Sequence, residues 1–205
     1  ITVTPTLNQA NATVMVNGTT VNSGTTSGAI NLAVGDNTIT AVVTAQDGST
    51  NKSYITTVTR AAATDTIAFN SLANATYGDP PITLSASSNN TDAGAKISYR
   101  SDNTSVVTVS GNMMTVVGAG TANITASQDA TANFKTAPEV SQPVTVNKAN
   151  LTITANDQSK LYRSAFTFSG TEFTATGLLK NDAVNTVTLS SNGADVIASA
   201  GPYPI

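Results

Sequence analysis

The chain has 205 residues, 36 of them Thr, with no Cys, no His, no Trp and a formal net charge of −3. That inventory excludes Ser–His and Cys–His nucleophile pairs, disulfides and histidine-ligated metals. Nine scattered Lys and Arg form no basic patch for nucleic acid or an anionic membrane, and no run approaches the roughly 18 apolar residues of a membrane-spanning helix.

Thr and Val suit a pleated, half-buried surface, and no apolar stripe of helical period exceeds two turns, so the composition predicts an all-β chain. In chain order, Ala12–Val16 runs into Asn17-Gly18, a hairpin signal. Ala29–Val34 reads as a strand that turns at Gly35-Asp36-Asn37 into the longest strand, Thr38–Ala45. Asp47-Gly48 then reverses the chain into Lys52–Thr59, and Ala61-Ala62-Ala63 reads as a short linker. The phrase Val34-Gly35-Asp36-Asn37-Thr38-Ile39-Thr40 returns about 80 residues later as Val117-Gly118-Ala119-Gly120-Thr121-Ala122-Asn123-Ile124-Thr125. This repetition predicts tandem immunoglobulin-like β-sandwich domains arranged end to end. Ile1–Thr4 is already strand-like and Gly201-Pro202-Tyr203-Pro204-Ile205 reads as entry to a further strand, so these residues are expected to be an internal piece of a longer protein.

The order Val14-x-Val16-Asn17-Gly18, Leu32-x-Val34-Gly35-x-Asn37-Thr38, Asp47-Gly48, Tyr54 and Val58-Thr59-Arg60 resembles the bacterial cadherin-like β-sandwich repeat. Ile97–Val109, Gly118–Ala126 and Val144–Lys148 resemble a bacterial immunoglobulin-like repeat. Leu151–Lys160 followed by Tyr162 resembles the module of mucin-binding and gliding-adhesin (MBG-like) arrays, with Arg163 where that pattern usually has Gly. The resemblances imply three β-sandwiches, residues 1–62, 63–148 and 149–205. The first is expected to lack opening strands and the third closing ones, so that flanking chain or a neighbouring copy completes them. Residues 63–148 are expected to fold alone, and proteolysis to concentrate at Ala61–Asp65 and Lys148–Asn150.

Candidate chemistry is sparse. The twelve acids lie at least ten positions apart and mostly beside turn residues, as at Asp36, Asp47, Asp79 and Asp102. Their expected role is to shape turns, and an isolated ion on Asp47 or Asp102 is the competing reading. Neither a catalytic residue nor a cofactor or metal site is assigned, and chelation is expected to leave the melting temperature within about a degree. Phe166 and Phe168 alternate as a strand's core face would, and Tyr54, Tyr99 and Tyr162 read as structural plugs. Asn-x-Ser/Thr occurs at Asn11, Asn17, Asn51, Asn74, Asn89, Asn103, Asn123 and Asn150, and Asp65-Thr66-Ile67 resembles an O-glycosylation signal of some surface bacteria.

The resemblances imply a non-catalytic structural or adhesive segment of a large bacterial cell-surface or secreted fibre-forming protein. Its partners would be neighbouring domains of the same chain, neighbouring copies in a fibre, or environmental or host glycans. A glycan- or mucin-binding module and an accessory region of a secreted enzyme are the alternatives.

Overall fold

A computed structural model describes all residues 1–205. It contains fifteen β-strands, no α-helix and one short 3-10 turn at Asn192–Ala194, so the all-β expectation holds. The chain divides into two compact units. One comprises Ile1–Phe69, Ala86–Ser98 and Ala126–Val140, the other Asn70–Ser85, Tyr99–Thr125 and Ser141–Ile205.

In the first unit, β1 (Thr13–Val16), β2 (Thr19–Val21), β3 (Gly35–Thr44) and β4 (Asn51–Arg60) form one antiparallel sheet in the order β2-β1-β3-β4. Asn17 and Gly18 both take positive φ, 46° and 81°, the mirror-image turn that matches strand twist. The Asp47-Gly48 turn is held by its carboxylate, which accepts from Ser49 N at 2.9 Å and Thr50 N at 2.8 Å. Strands β3 and β4 pair without interruption over ten residues, from Gly35 opposite Arg60 to Thr44 opposite Asn51.

Alternation sends Val16, Val21 and Ile39 into the core of this sheet, where Val3, Ile30 and Val58 pack on them. The cover over that core is a ladder of residues 1–7 against 23–30. Ser27 N donates to Val3 O and Ile30 N to Ile1 O, each at 2.8 Å, and Leu7 N donates to the Ser23 hydroxyl at 2.9 Å. The Ala29–Val34 strand expected from sequence is therefore displaced. Ile30 belongs to this ladder, while residues 31–34 form no regular strand because Asn37 ties them instead, accepting from Ala33 N and donating to Ala33 O. Also in this unit, β5 (Ile67–Phe69) pairs with β8 (Ala86–Ser88).

In the second unit, β7 (Ile82–Thr83), β10 (Val107–Ser110) and β11 (Met113–Val116) make a sheet of order β10-β11-β7 that buries Val107, Met114 and Val116. A further sheet has the order β6-β13-β12-β9, built from β6 (Ala75–Thr76), β9 (Ile97–Ser101), β12 (Gly120–Gln128) and β13 (Val140–Asn147). Along β12, Ala122, Ile124 and Ala126 point inward, and Val144 and Val146 do the same on β13. The recurring Thr-rich phrase thus becomes β3 and β12, a central strand in each sheet.

Residues 151–205 carry one hairpin, β14 (Thr152–Ala155) with β15 (Phe173–Thr176). Phe166 and Phe168 lie outside any strand, half-buried, their rings stacked edge to face with centroids 5.1 Å apart. Their expected place on a strand's core face fails because the chain around them closes on the 3-10 turn, Phe166 N donating to Ala194 O, instead of joining a sheet. Tyr162 is 64% exposed, against its expected role as a plug, because it sits in the turn at Arg163.

Arg163 itself takes φ 61°, the left-handed conformation. A side chain there costs about 1–2 kcal/mol that glycine does not incur. The Arg163 guanidinium lies 5.6 Å from the Tyr162 ring and offsets part of this. Arg163→Gly is therefore expected to raise stability by about 0.5 kcal/mol in chemical denaturation. A loss of stability would show that the guanidinium contact outweighs the backbone strain.

Candidate functional site

The chain's polar chemistry concentrates where the sequence predicts module joints, and each joint lies within one compact unit. The first begins with Arg60 at the end of β4. Its Nη1 donates to Leu32 O at 3.2 Å and to Asn133 Oδ1 at 2.7 Å. The Ala61-Ala62-Ala63 run that composition marks as a free linker is instead pinned. Ala63 pairs in parallel with Phe134, donating to Asn133 O at 2.8 Å and accepting from Lys135 N at 2.9 Å. Sequence reasoning missed this because the partner segment lies some 70 residues away and carries no local signal.

Asn89, Asn90 and Asp92 follow β8 and hold the other side of this joint. Short polar side chains there satisfy backbone groups that a loop leaves open. Asn89 Oδ1 accepts from Thr66 N, and its amide donates to Thr64 O. Asn90 Nδ2 donates to Asp65 Oδ2 and to Thr131 Oγ1, both at 3.1 Å. Asp92 accepts from Asn133 Nδ2 at 2.8 Å, Thr131 Oγ1 at 2.7 Å and Asn133 N at 2.7 Å. These donors, Asn133 foremost, hold the Asp92 carboxyl below its usual range, with the Arg60 charge adding to the effect. Asp65, the first residue of the segment that resembles an O-glycosylation signal, is fully buried, while Thr66 beside it is exposed. One Asp65 oxygen, Oδ1, has no hydrogen-bond partner.

The second joint surrounds Lys148–Leu151. Tyr77 N donates to Asn147 O at 2.9 Å, and the Tyr77 hydroxyl donates to Asp182 Oδ1 at 3.3 Å. Lys180, held at φ 55°, donates from Nζ to Val116 O at 2.7 Å and places its charge 4.8 Å from the Tyr77 ring centre. Burial, then the Asp182 charge, pushes the Tyr77 hydroxyl pKa up. Two glycines permit the close approach. A Cβ on Gly78 would meet Leu179 at 2.5 Å, and one on Gly177 would meet Asn150 O at 2.2 Å. Around them lies an open cleft of about 520 Å3 lined by residues that include Tyr77, Leu151, Leu178 and Asp182.

A second cleft, about 590 Å3, lies within residues 157–205 and is lined by Tyr162, Phe166, Phe168 and Tyr203 together with Asp157, Gln158 and Lys160. Aromatic faces beside polar groups are the elements of sugar recognition.

The acids singled out in the sequence are all occupied by donors, local for Asp47 and Asp79 and from a distant segment for Asp102 and Asp36. Asp102 accepts from Asn123 N and Nδ2, both at 2.7 Å, and Asp79 accepts from Thr76 N at 2.7 Å. Asp36 differs, since it lies within β3 and accepts from the Thr59 hydroxyl across the strand pair. Glu172, unremarked in the sequence, gathers Ser169 N and Oγ, Gly170 N and Thr171 N.

Hydrogen bonds led by Thr50 pull Asp47 to about 2, those led by Ser169 pull Glu172 to about 2, and Asp92 and Asp102 are also lowered. A lowered folded pKa means that its stabilisation is complete above the unfolded value near 4 and is lost as pH falls through the folded one. The melting temperature is expected to be flat above pH about 5 and to drop progressively from about pH 4 to pH 2. Asp47→Asn combined with Glu172→Gln should shrink that drop, and an acid limb unchanged in this variant would contradict the assignment.

Comparison with known proteins adds the class. Residues 1–61 match the family model of the cadherin-like beta sandwich domain, and residues 151–205 match that of the MBG domain (YGX type). Both matches fall on the segments whose motifs resemble these two families. Among solved structures, fibronectin(III)-like modules of Clostridium thermocellum CbhA are similar at 15% identity and a TM-score of 0.33, over 71% of this chain and 80% of that one. Domains 1–6 of the surface layer protein SbsC are similar at 15% identity and a TM-score of 0.35, over 94% of this chain and 33% of that one. Among curated proteins no sequence matches. No helix of the structure is long and apolar enough to cross a membrane.

Proposed function

We propose that the chain is a non-catalytic structural segment of a large bacterial cell-surface or secreted fibre-forming protein, in which β-sandwiches are linked through stiffened joints. The middle stretch, residues 63–148, acts in this reading as a bacterial immunoglobulin-like module between the cadherin-like and MBG-type ones. Its location is extracellular, and its partners are neighbouring domains or neighbouring copies.

The observation that carries the reading is the pinning of the first expected linker at Ala63, together with the polar contacts of Tyr77 and Lys180 that flank the second. A flexible connector leaves its backbone to water, whereas here Ala63 and Tyr77 donate backbone hydrogen bonds, and Arg60 and Lys180 each reach a main-chain carbonyl. A chain with few charges and many Thr residues suits a long-lived exposed spacer. Single-molecule pulling on the whole chain tests this. Arg60→Ala combined with Lys180→Ala should increase compliance at low force while leaving the rupture force of the sheets unchanged. Equal compliance in the two proteins would remove the support.

The cleft formed by Tyr162, Phe166, Phe168 and Tyr203 favours a second reading, a glycan-binding module at the C-terminal end. Binding of the chain on a glycan array, abolished by Tyr162→Ala, would support it. Absence of binding across neutral and acidic glycans would leave the structural reading alone.

A further inference from the structure

Strand β4 stands last in its sheet and presents ten residues at a free edge. Every other edge strand in the chain is five residues or shorter. Proteins commonly protect long edges with bulges, prolines or inward charges. Here the pairing with β3 runs without a bulge, there is no Pro, and the central stretch Ser53-Tyr54-Ile55-Thr56-Thr57 is uncharged and exposed. Ile55 is 70% exposed and Tyr54 51%, so Tyr54 is no buried plug. Lys52, folded over the Tyr54 ring at 5.2 Å, and Arg60 sit towards the two ends.

The orientation of the free backbone groups follows from the ladder. Thr40 donates to Asn17 Oδ1 and accepts from Asn17 N, both at 2.9 Å, so its amide and carbonyl face away from β4. Antiparallel pairs alternate. Ile55, opposite Thr40, therefore directs its own N–H and C=O outward, together with Asn51, Ser53, Thr57 and Thr59. Tyr54, Thr56 and Val58 point theirs toward β3, and the Asn37 amide reaches Val58 O from that side at 3.2 Å.

The five outward residues are spaced evenly about Ile55, so the same strand of a second copy can meet all of them in one register. We propose that β4 pairs with β4 of a second copy, antiparallel about a two-fold axis at Ile55. Ser53 then lies opposite Thr57 of the other copy and Asn51 opposite Thr59. This register exchanges about ten main-chain hydrogen bonds and leaves none of the five outward residues unpaired. A two-fold axis normal to the sheet keeps both core faces on the same side, so the apolar cover of each sheet is undisturbed. Parallel pairing would stack Lys52 on Lys52 and Arg60 on Arg60. A shift of one residue pair along the antiparallel ladder in one direction would bring Lys52 against Arg60, and in the other would leave Thr59 without a partner in β4. The chosen register avoids all three. The interface is closed and gives dimers, and it does not depend on the structural role proposed above.

Sedimentation equilibrium and amide hydrogen exchange on the whole chain test the pairing. On the order of 100 μM protein should be largely dimeric. Exchange at Ser53, Ile55 and Thr57 should slow as concentration rises, while Tyr54 and Thr56 stay protected throughout. Thr57→Pro removes one outward N–H without touching the β3 ladder, and Ile55→Lys sets two like charges at the axis. Each should weaken dimerisation by about tenfold or more while leaving the melting curve at low concentration unchanged. Should Thr57→Pro fail to fold, Ile55→Lys alone decides. A chain that stays monomeric at this concentration, with exchange independent of concentration, overturns the proposal. So does a dimer that neither variant weakens.

Discussion

Gly177→Ala is expected to be the most disruptive small substitution in the second unit, costing about 3 kcal/mol and opening the β14–β15 hairpin. Gly177 follows β15 directly at φ 94°, and an added methyl would lie 2.2 Å from Asn150 O, the residue that leads into the partner strand. Backbone is the obstacle, so no side-chain rearrangement relieves it. The opening should register as fast amide exchange in residues 152–155 and 173–176. Gly24→Ala is the matched control, because Gly24 has φ 77° but open space around its Cα. It should cost only the left-handed backbone term, about 1 kcal/mol. Equal losses at the two positions would show that the Asn150 contact has no consequence.

Ile124→Ala is expected to cost about 3 kcal/mol, with a correspondingly large fall in the denaturant midpoint. Ile124 is fully buried in β12, which lies between β13 and β9 in its sheet, and truncation leaves a cavity that this rigid setting fills poorly. The same substitution at Ile197, 79% exposed, should stay within about 0.5 kcal/mol. Equal losses at the two sites would contradict the core described for β12.

These contrasts also show what was legible in the sequence. Short-range chemistry was. Asn17-Gly18 and Asp47-Gly48 fixed their hairpins, and the Thr-rich alternation located β3 and β12, although β3 begins at Gly35, three residues before the expected Thr38, so that the expected turn at Gly35-Asp36-Asn37 is part of the strand. The turn-shaping reading of Asp47 and Asp79 rests on the same local logic, and each accepts from a backbone N–H three residues away; Asp102 instead accepts from Asn123, 21 residues on, so its bond is a long-range one.

Long-range pairing was not legible. Ala61-Ala62-Ala63 looks like a linker because nothing local to it reveals Asn133 and Lys135, so the expected cleavage site at Ala61–Asp65 becomes a bonded segment. The burial of Asp65 has no local sign for the same reason, since Asn90, from a different loop, donates to it. Tyr54 reads as a structural plug from its strand context, and only the sheet order shows that the strand is an edge. Phe166 and Phe168 carried a strand-like alternation that the turn contacts around Ala194 override. The polar clamp of Tyr77, Lys180 and Asp182 had no signature, since its members come from segments 100 residues apart that share no motif.

The central claim is that the first expected linker is a bonded part of the fold and that the second is held at its flank, where Tyr77 N donates to Asn147 O. Site-resolved hydrogen exchange on the intact chain at neutral pH tests it most directly, through the amides of Ala63, Lys135 and Tyr77. Each donates to a main-chain carbonyl at its joint. The account predicts exchange at these three within about tenfold of the amide of buried Leu84, which donates to Asn112 O just beyond β7, and on the order of a thousandfold slower than in an unstructured chain. Exchange at unstructured rates while Leu84 remains protected would mean that the joints are open connectors, and the account of a stiffened segment would fail.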